Sequence, residues 1–490
     1  MTANREIRRR LTAVVAVGAL ALVATVTPAT AQEAFEADVS CRWGARDCSR
    51  PARDLVAQFN RLRDHGDLIG FGMGRAPDVS NANHWQGVQR LATQRGRYLA
   101  VSRNGANVSF VIVRMASRDR SGERYRSNHI GPTSADTPPP ATDRVVTVVA
   151  YDRLDAGFNH SGGMQSVGDF LAVGLEDDER SRVVFWTVSD VRHPSRVGAL
   201  RHETGVDGAG TISLAKLRGG RHLLIVGGTD ANTLDFYLSR AGTGLANPRF
   251  DHTATWTEDE LVGGDSEFGN YQNLNLVASS DGRLYLIGTH FSGIFGGRRD
   301  VADLFVLERN PRSPRIRKLA SRHLYCAVPG GNQHCDLDAA GGVYVTPTGG
   351  LLLYGTERNN DGQNGSVKAE EFRPAPHRPS CENISDSWVE LYDDTGFDGD
   401  RGVMIDYHDR RLRNYENYDL VEGFEDKASA ARWCLPSGRR YRLYQHKRPC
   451  RGRTIDLIGT DTPASDREFG DGSGVVRRFN DAVSCSRWIR

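Results

Sequence analysis

The sequence predicts an all-β fold in two parts, and three observations carry that expectation. Between Cys41 and about Pro374, short runs rich in Val, Leu, Phe and Tyr alternate with Gly, Asp and Asn turns, as strands and hairpins do. A single unit of this texture recurs along the stretch, and repetition at such a period marks an array of like sheets. After residue 386 the texture changes to a second, smaller pattern that itself occurs twice. Glycine, 53 of 490 residues, is raised as a chain with many tight turns requires.

Residues 1–31 read as an address. Arg5, Arg8, Arg9 and Arg10 form a positive start, Leu11 to Val26 is apolar, and Ala29-Thr30-Ala31 offers small residues for cleavage. The mature chain would begin at Gln32 and be secreted, extracellular or periplasmic. No later apolar stretch approaches the ~20 residues of a membrane span. The eight cysteines all follow the signal, so disulfides are the expected state. Proximity pairs Cys41 with Cys48 and Cys326 with Cys335; two further bridges are expected among Cys381, Cys434, Cys450 and Cys485. Nearly all of the 63 basic residues are arginine, which we read as a GC-rich bacterial source. With 61 acidic residues the formal charge is +2, and no basic stripe offers a footprint for nucleic acid.

One helix is expected ahead of the repeats, with Ser49 as cap, Pro51 in the first turn, and Leu55, Val56, Phe59 and Leu62 on one face. It would pack on the side of the repeats or close one mouth. The repeats then begin. Asn83-His84-Trp85-Gln86-Gly87-Val88-Gln89 leads to Tyr98-Leu99-Ala100-Val101 and Val108–Val113. Asn159-His160-Ser161-Gly162-Gly163-Met164-Gln165 leads to Phe170-Leu171-Ala172-Val173 and Val183–Val188. Looser copies start at Ala209, Leu274 and Asp336. Each has about three clear strands and a weaker fourth, a sheet that cannot bury both faces alone. Residues 32–374 are therefore expected to form a five-bladed β-propeller. A six-bladed ring using residues 66–78, or a sandwich of meanders, are the alternatives.

In such a ring the first strand of each blade lines the channel. His84, Gln89, His160, Gln165, Asn275 and Asp338 are its polar candidates. They would line a pocket for a small ligand, a sugar or an ion, or else hydrogen-bond blade to blade and satisfy backbone groups. A glycosidase needs paired carboxylates, and the inner strands offer only Asp336 and Asp338, on one blade. No Gly-x-Ser-x-Gly elbow, His-Glu-x-x-His helix or phosphate-cradling loop occurs. The expectation leans away from catalysis.

Residues 375–386 read as a proline-punctuated linker to a separate unit, 387–490. In that unit Tyr392, Phe397 and Gly399 form a pattern of an aromatic, four variable positions, a second aromatic, one variable position and a glycine. The second copy has Gln445, Cys450 and Gly452 at those positions, with a disulfide at Cys450 taking the place of stacking. Downstream, Glu425-Asp426-Lys427-Ala428-Ser429-Ala430 pairs with Asn480-Asp481-Ala482-Val483-Ser484-Cys485. These corners and paired motifs resemble the βγ-crystallin family, over about 104 residues. The resemblance implies a double Greek-key sandwich with two Ca²⁺ sites. Asp426, Ser429, Asp481 and Ser484 would supply side-chain oxygens. Lys427, Ala482, Thr395 and Arg448 would supply backbone carbonyls. Oxygen-only ligands suit Ca²⁺. The function expected is thus that of a secreted calcium-binding protein with a ligand-binding or structural propeller. The alternative is an extracellular carbohydrate-active hydrolase or a lectin using the channel, with a carbohydrate or cell-surface partner.

Overall fold

The computed structural model describes residues 35–42, 44–63, 66–72, 84–104, 108–114, 147–154, 157–177, 180–202, 208–262, 268, 270–292, 299–324, 326, 335–358, 366–375, 381–382, 384, 387–392, 401–406, 418–419, 428, 430–446, 450–466 and 485–489. The predicted signal, 1–31, lies outside them.

The helix is shorter than the sequence predicts. α1 (Leu55–Asn60) starts after Asp54, whose backbone is left-handed (φ 41°), and no side chain caps it. Ser49 is not the cap because the residues before the helix are held against the sheets. The Ala52 N–H donates to Ala278 O and its carbonyl accepts from Ser280 N, each at 2.8 Å. Leu55, Phe59 and Leu62 form the buried face as expected, with Val56 at its edge.

β1 (Asp67–Gly72) is followed by groups of antiparallel strands in chain order. β2 (Trp85–Leu91), β3 (Tyr98–Arg103), β4 (Ser109–Arg114) and β5 (Thr147–Arg153) form one. β6 (His160–Val167), β7 (Phe170–Glu176), β8 (Ser181–Thr187) and β9 (Ser195–His202) form the next. β10 (Thr211–Lys216), β11 (His222–Gly227), β12 (Thr233–Ser239) and β13 (Phe250–Thr257) follow. Then come β14 (Asn273–Ala278), β15 (Leu284–Ser292), β16 (Arg299–Asn310) and β17 (Ser313–Leu324). Last are β18 (Gly341–Val345), β19 (Leu351–Thr356) and β20 (Ser366–Phe372), which β1 completes by pairing with β20. Residues 67–72 therefore build no sheet of their own, contrary to the six-bladed alternative.

The first strands adjoin in the order β2, β6, β10, β14, β18 and back to β2, where Gly341 pairs with Gly87 in parallel. The arrangement is propeller-like. The first strand of each sheet is buried on both faces, which explains runs that are apolar without alternation, whereas the outer strands β9 and β13 are largely exposed or half-buried. Leu99 and Val101 pack with Tyr344 and Tyr354 of the last sheet, while Ala100, between them, packs with Met164 and Leu171 of the second. Similar cores separate the remaining neighbours. Burying each large apolar side chain is worth about 1.5–3 kcal/mol. Near the axis the chains approach closely. A Cβ on Gly342 would fall 1.7 Å from Val88 O, and one on Gly162 2.1 Å from Ala209 O.

The C-terminal strands are β21 (Trp388–Tyr392), β22 (Arg401–Asp406), β23 (Tyr418–Asp419), β24 (Ala430–Cys434), β25 (Arg440–His446), β26 (Arg451–Ile458), β27 (Ala464–Asp466) and β28 (Cys485–Ile489). They make two sheets, ordered β22-β21-β24-β27 and β23-β28-β25-β26. The third strand of each sequence copy has crossed to the other copy's sheet. The first of these sheets continues from β17, through parallel pairing of Ser321 with Arg401 and Arg322 with Gly402. Arg322 and Glu390, both buried, form an ion pair at 3.5 Å across this junction. Both proximity disulfides are present, and the remaining four cysteines pair as Cys381–Cys434 and Cys450–Cys485.

Candidate functional site

The six channel candidates divide by depth. Three lie within the ring and are engaged with backbone. Gln165 Nε2 donates to Leu276 O at 2.7 Å, and its Oε1 accepts from the N–H groups of Leu214 (2.8 Å) and Leu276 (3.0 Å). Gln89 donates to Val343 O and accepts from Ser166 N at 3.3 Å. Asn275 Nδ2 donates to Leu274 O (2.8 Å) and Met164 O (3.3 Å). These side chains bridge strands of different sheets, so the polar groups in the middle of the ring hold it together.

The segment ahead of the repeats crosses the end where the first strands finish. Arg46 O accepts from Asp169 N at 2.8 Å, Asp47 O contacts His222 Nε2 at 2.8 Å, and Arg53 N donates to Gly349 O at 2.9 Å. With Ala52 on Ser279, these contacts reach the sheets of β6, β10, β14 and β18.

The other three candidates, His84, His160 and Asp338, gather at the opposite end, where first strands begin and second strands finish. The His84 and His160 rings meet edge to face, centroids 6.3 Å apart. Asn104, at the end of β3, touches the His84 ring through its amide nitrogen and accepts from Ser161 N at 2.8 Å. Glu176, the last residue of β7, pairs with His160 Nδ1 through one oxygen and accepts the Ala209 N–H at 2.7 Å through the other. Asp338 pairs with Arg358, whose Nε lies 3.2 Å from buried Asp336. Burial holds the His84 imidazole below its ordinary pKa; His160 and Arg358 add to this, and Asp336 opposes it. The side chains of His160 and Asp338 are 27% and 26% exposed, so this cluster is open to a ligand while the middle of the ring is not. Its mixture of donors and acceptors suits a polyhydroxylated molecule.

Sequence reasoning missed Asn104, Glu176 and Arg358, which occupy one structural position in three sheets. Asn104 and Glu176 face the start of a first strand across a hairpin: the Asn104 N–H donates to His84 O, and Glu176 is the register partner of His160. Counting outward from the turn after Val167 would have found it, had the irregularity between Ser161 and Met164 been allowed for.

The predicted calcium ligands Thr395, Asp426, Lys427, Ser429, Arg448, Asp481, Ala482 and Ser484 lie outside the described residues, as do Phe397 and Gly399. Among the described residues no group of three or more His, Cys, Asp or Glu is placed to hold a metal ion. Gly452 is described and has φ 88°, with His446 Cδ2 2.7 Å from where a Cβ would stand. Among the described residues no helix is long and apolar enough to cross a membrane.

No protein-family model matches the chain. No curated protein matches it. Among solved structures, a fructofuranosidase from Schwanniomyces occidentalis is similar with TM-score 0.39 and 10% identity, over 81% of this chain and 73% of that one. A β-fructofuranosidase from Bombyx mori gives 0.35 and 9%, over 82% and 88%. A sucrose-6-phosphate hydrolase from Lactobacillus gasseri gives 0.32 and 10%, over 82% and 78%. Likenesses this distant carry no argument about what the present site does.

Proposed function

We propose that this chain is an exported protein of two units that binds a carbohydrate outside the cytoplasm. In this reading residues 32–374 are a five-bladed propeller, its last blade completed by β1, and the ligand sits where the first strands begin. One observation carries the assignment: side chains from three sheets converge there, His84 with Asn104, His160 with Glu176, and Asp338 with Arg358. Sugar hydroxyls both donate and accept, and this set offers both. Glu176 is engaged by His160 and the Ala209 N–H, and Asp338 by Arg358, so the reading is binding without turnover. A glycan array followed by titration calorimetry tests it. His160→Ala is expected to weaken the best ligand at least tenfold with the fold intact by circular dichroism. Binding to no glycan overturns the reading. Release of reducing ends, lost in Glu176→Gln, would replace binding with hydrolysis.

For residues 387–490 we propose a βγ-crystallin-like double Greek key that binds two Ca²⁺ ions. The exchange of β23 and β27 between sheets, the left-handed Gly452 and the Cys450–Cys485 bridge support it. Calcium at a hundredfold excess over Kd would add about 2.7 kcal/mol per site. Calorimetric melting of the full chain, chelated and then recalcified, checks this. Asp481→Ala is expected to remove much of the gain, and a melting curve indifferent to millimolar calcium removes the metal.

A further inference from the structure

We propose that the outer face of the β23-β28-β25-β26 sheet is a second binding surface, separate from the ring, for an acidic polysaccharide that carries a carboxylate on each sugar. This goes beyond the reading of the rim and shares with it only export from the cytoplasm. The whole-chain charge of +2 hides the first observation. From Arg439 to Arg453 the sequence holds seven Lys and Arg and no Asp or Glu. β25 and β26 pair across that stretch, so the fold gathers the charge on one surface. Side chains two apart on a strand share a face, and so do register partners. Tyr441 and Leu443 are fully buried, which turns Arg440 and Arg442 outward. Opposite Arg442 stand Asp456 on β26 and Arg487 on β28, and opposite Arg440 stands Ile458. Arg451 and Arg453 are exposed on β26, the open edge. Five arginines on the strands of this sheet thus stand against two acids, Asp419 and Asp456.

Asp456 shows how the face takes a carboxylate. Arg442 Nη2 donates to it at 2.8 Å, and Arg440 Nη1 lies 3.1 Å away. Guanidinium forks match carboxylates in this way. Protection of the open edge does not account for the set. Charges of either sign on β26 would serve that purpose, whereas Arg440, Arg442 and Arg487 lie on the interior strands β25 and β28. The rest of the face selects among polyanions. Single-stranded nucleic acid needs exposed rings for its bases to stack on. Tyr444 is only 6% exposed, with the Arg487 guanidinium 5.4 Å from its ring centroid. A bilayer surface needs a broad apolar face. Among the described residues the large apolar side chains that stand exposed are Val39, on the N-terminal segment, and Ile458. A lone Ile458 between arginines suits the C–H face of a sugar ring instead.

Titration calorimetry of the full chain in EDTA tests this with four probes: an oligogalacturonate, its methyl ester, a single-stranded oligonucleotide of equal charge, and phosphatidylglycerol vesicles. The free acid is expected to bind at least about tenfold tighter than the ester, with the advantage shrinking between about 50 and 300 mM NaCl as charges are screened. Arg440→Ala and Arg453→Ala should each weaken it severalfold with the melting temperature held. Arg240→Ala, in an exposed pair with Asp251 on the propeller, should leave it unchanged. Equal affinity for the ester overturns the assignment, as does tighter binding of the oligonucleotide or the vesicles. A loss in His160→Ala with none in the arginine variants would move the polymer to the ring and overturn it too. If no probe binds, this surface falls, while the rim reading stands or falls with the glycan array.

Discussion

His160 and Gln165 stand five residues apart on one strand, in a motif that the second sheet shares with the first, yet they do different work. Gln165 has its amide engaged by Leu214 and Leu276, on two other sheets. His160 stands at the rim with Glu176 and is partly open to solvent. The same division holds for Gln89 and His84. A repeated polar motif can thus contain a structural half and a half available to a ligand. Depth along the strand decides which is which: inside the ring an unpaired amide would be costly, while at the rim water or a ligand can complete the set.

Three measurements sharpen this contrast. The largest effect is expected at depth. Gln165→Leu would leave two backbone N–H groups and one carbonyl without partners, a loss of about 3 kcal/mol or more, readable as a lower urea midpoint. A change under 1 kcal/mol would mean that the deep amides are not what ties the sheets together.

An intermediate effect is expected from pH. His84, His202 and His222 are held below their ordinary pKa, in each case chiefly by burial. Between the folded value and about 6.5 the unfolded chain binds more protons, so stability should fall as pH drops below about 6.5. Asp303 adds a second loss. Burial pushes its carboxyl up, but hydrogen bonds from His290 and Ser321 and the charge of Lys318 outweigh this and hold it well below the usual range. Its stabilisation is present above about pH 4 and is lost as pH falls through the depressed folded value. Melting temperatures across pH 8 to 2 should therefore decline in two stages. His222→Gln should flatten the upper stage and Asp303→Asn the lower one. An unchanged profile in both variants removes the buried groups from the account.

The smallest stability effect is expected at the rim. Glu176→Gln keeps an acceptor for the Ala209 N–H and loses only a partly exposed pairing with His160, so unfolding should shift by less than about 1 kcal/mol. The same variant should lose glycan affinity tenfold. A large destabilisation with unaltered binding would make the rim structural too.

Much of the ring was legible because apolar runs and Gly/Asp turns report burial directly. The starts of the five repeats and the burial of Leu55 and Phe59 follow from residue type and spacing. Ser49 was misread because local capping chemistry competes with a tertiary bridge at Ala52 that no local pattern announces. Half of the candidate site was legible as well: His84, His160 and Asp338 stand near the first strands. Their partners Asn104, Glu176 and Arg358 were not, because pairing across a hairpin with an irregular register depends on where the irregularity falls.

By itself the sequence determined the all-β character, the repeat, and the two short-range disulfides, since each depends on neighbours along the chain. Only the tertiary structure decided that β1 completes the last sheet across nearly three hundred residues, and that Cys381 joins Cys434 and Cys450 joins Cys485. It also decided which polar groups of the repeated motif are enclosed and which face outward. Closure and depth are properties of the assembled ring: the hydrogen bonds that hold Gln89 and Gln165 come from strands remote in sequence, and they exist only once every sheet is in place.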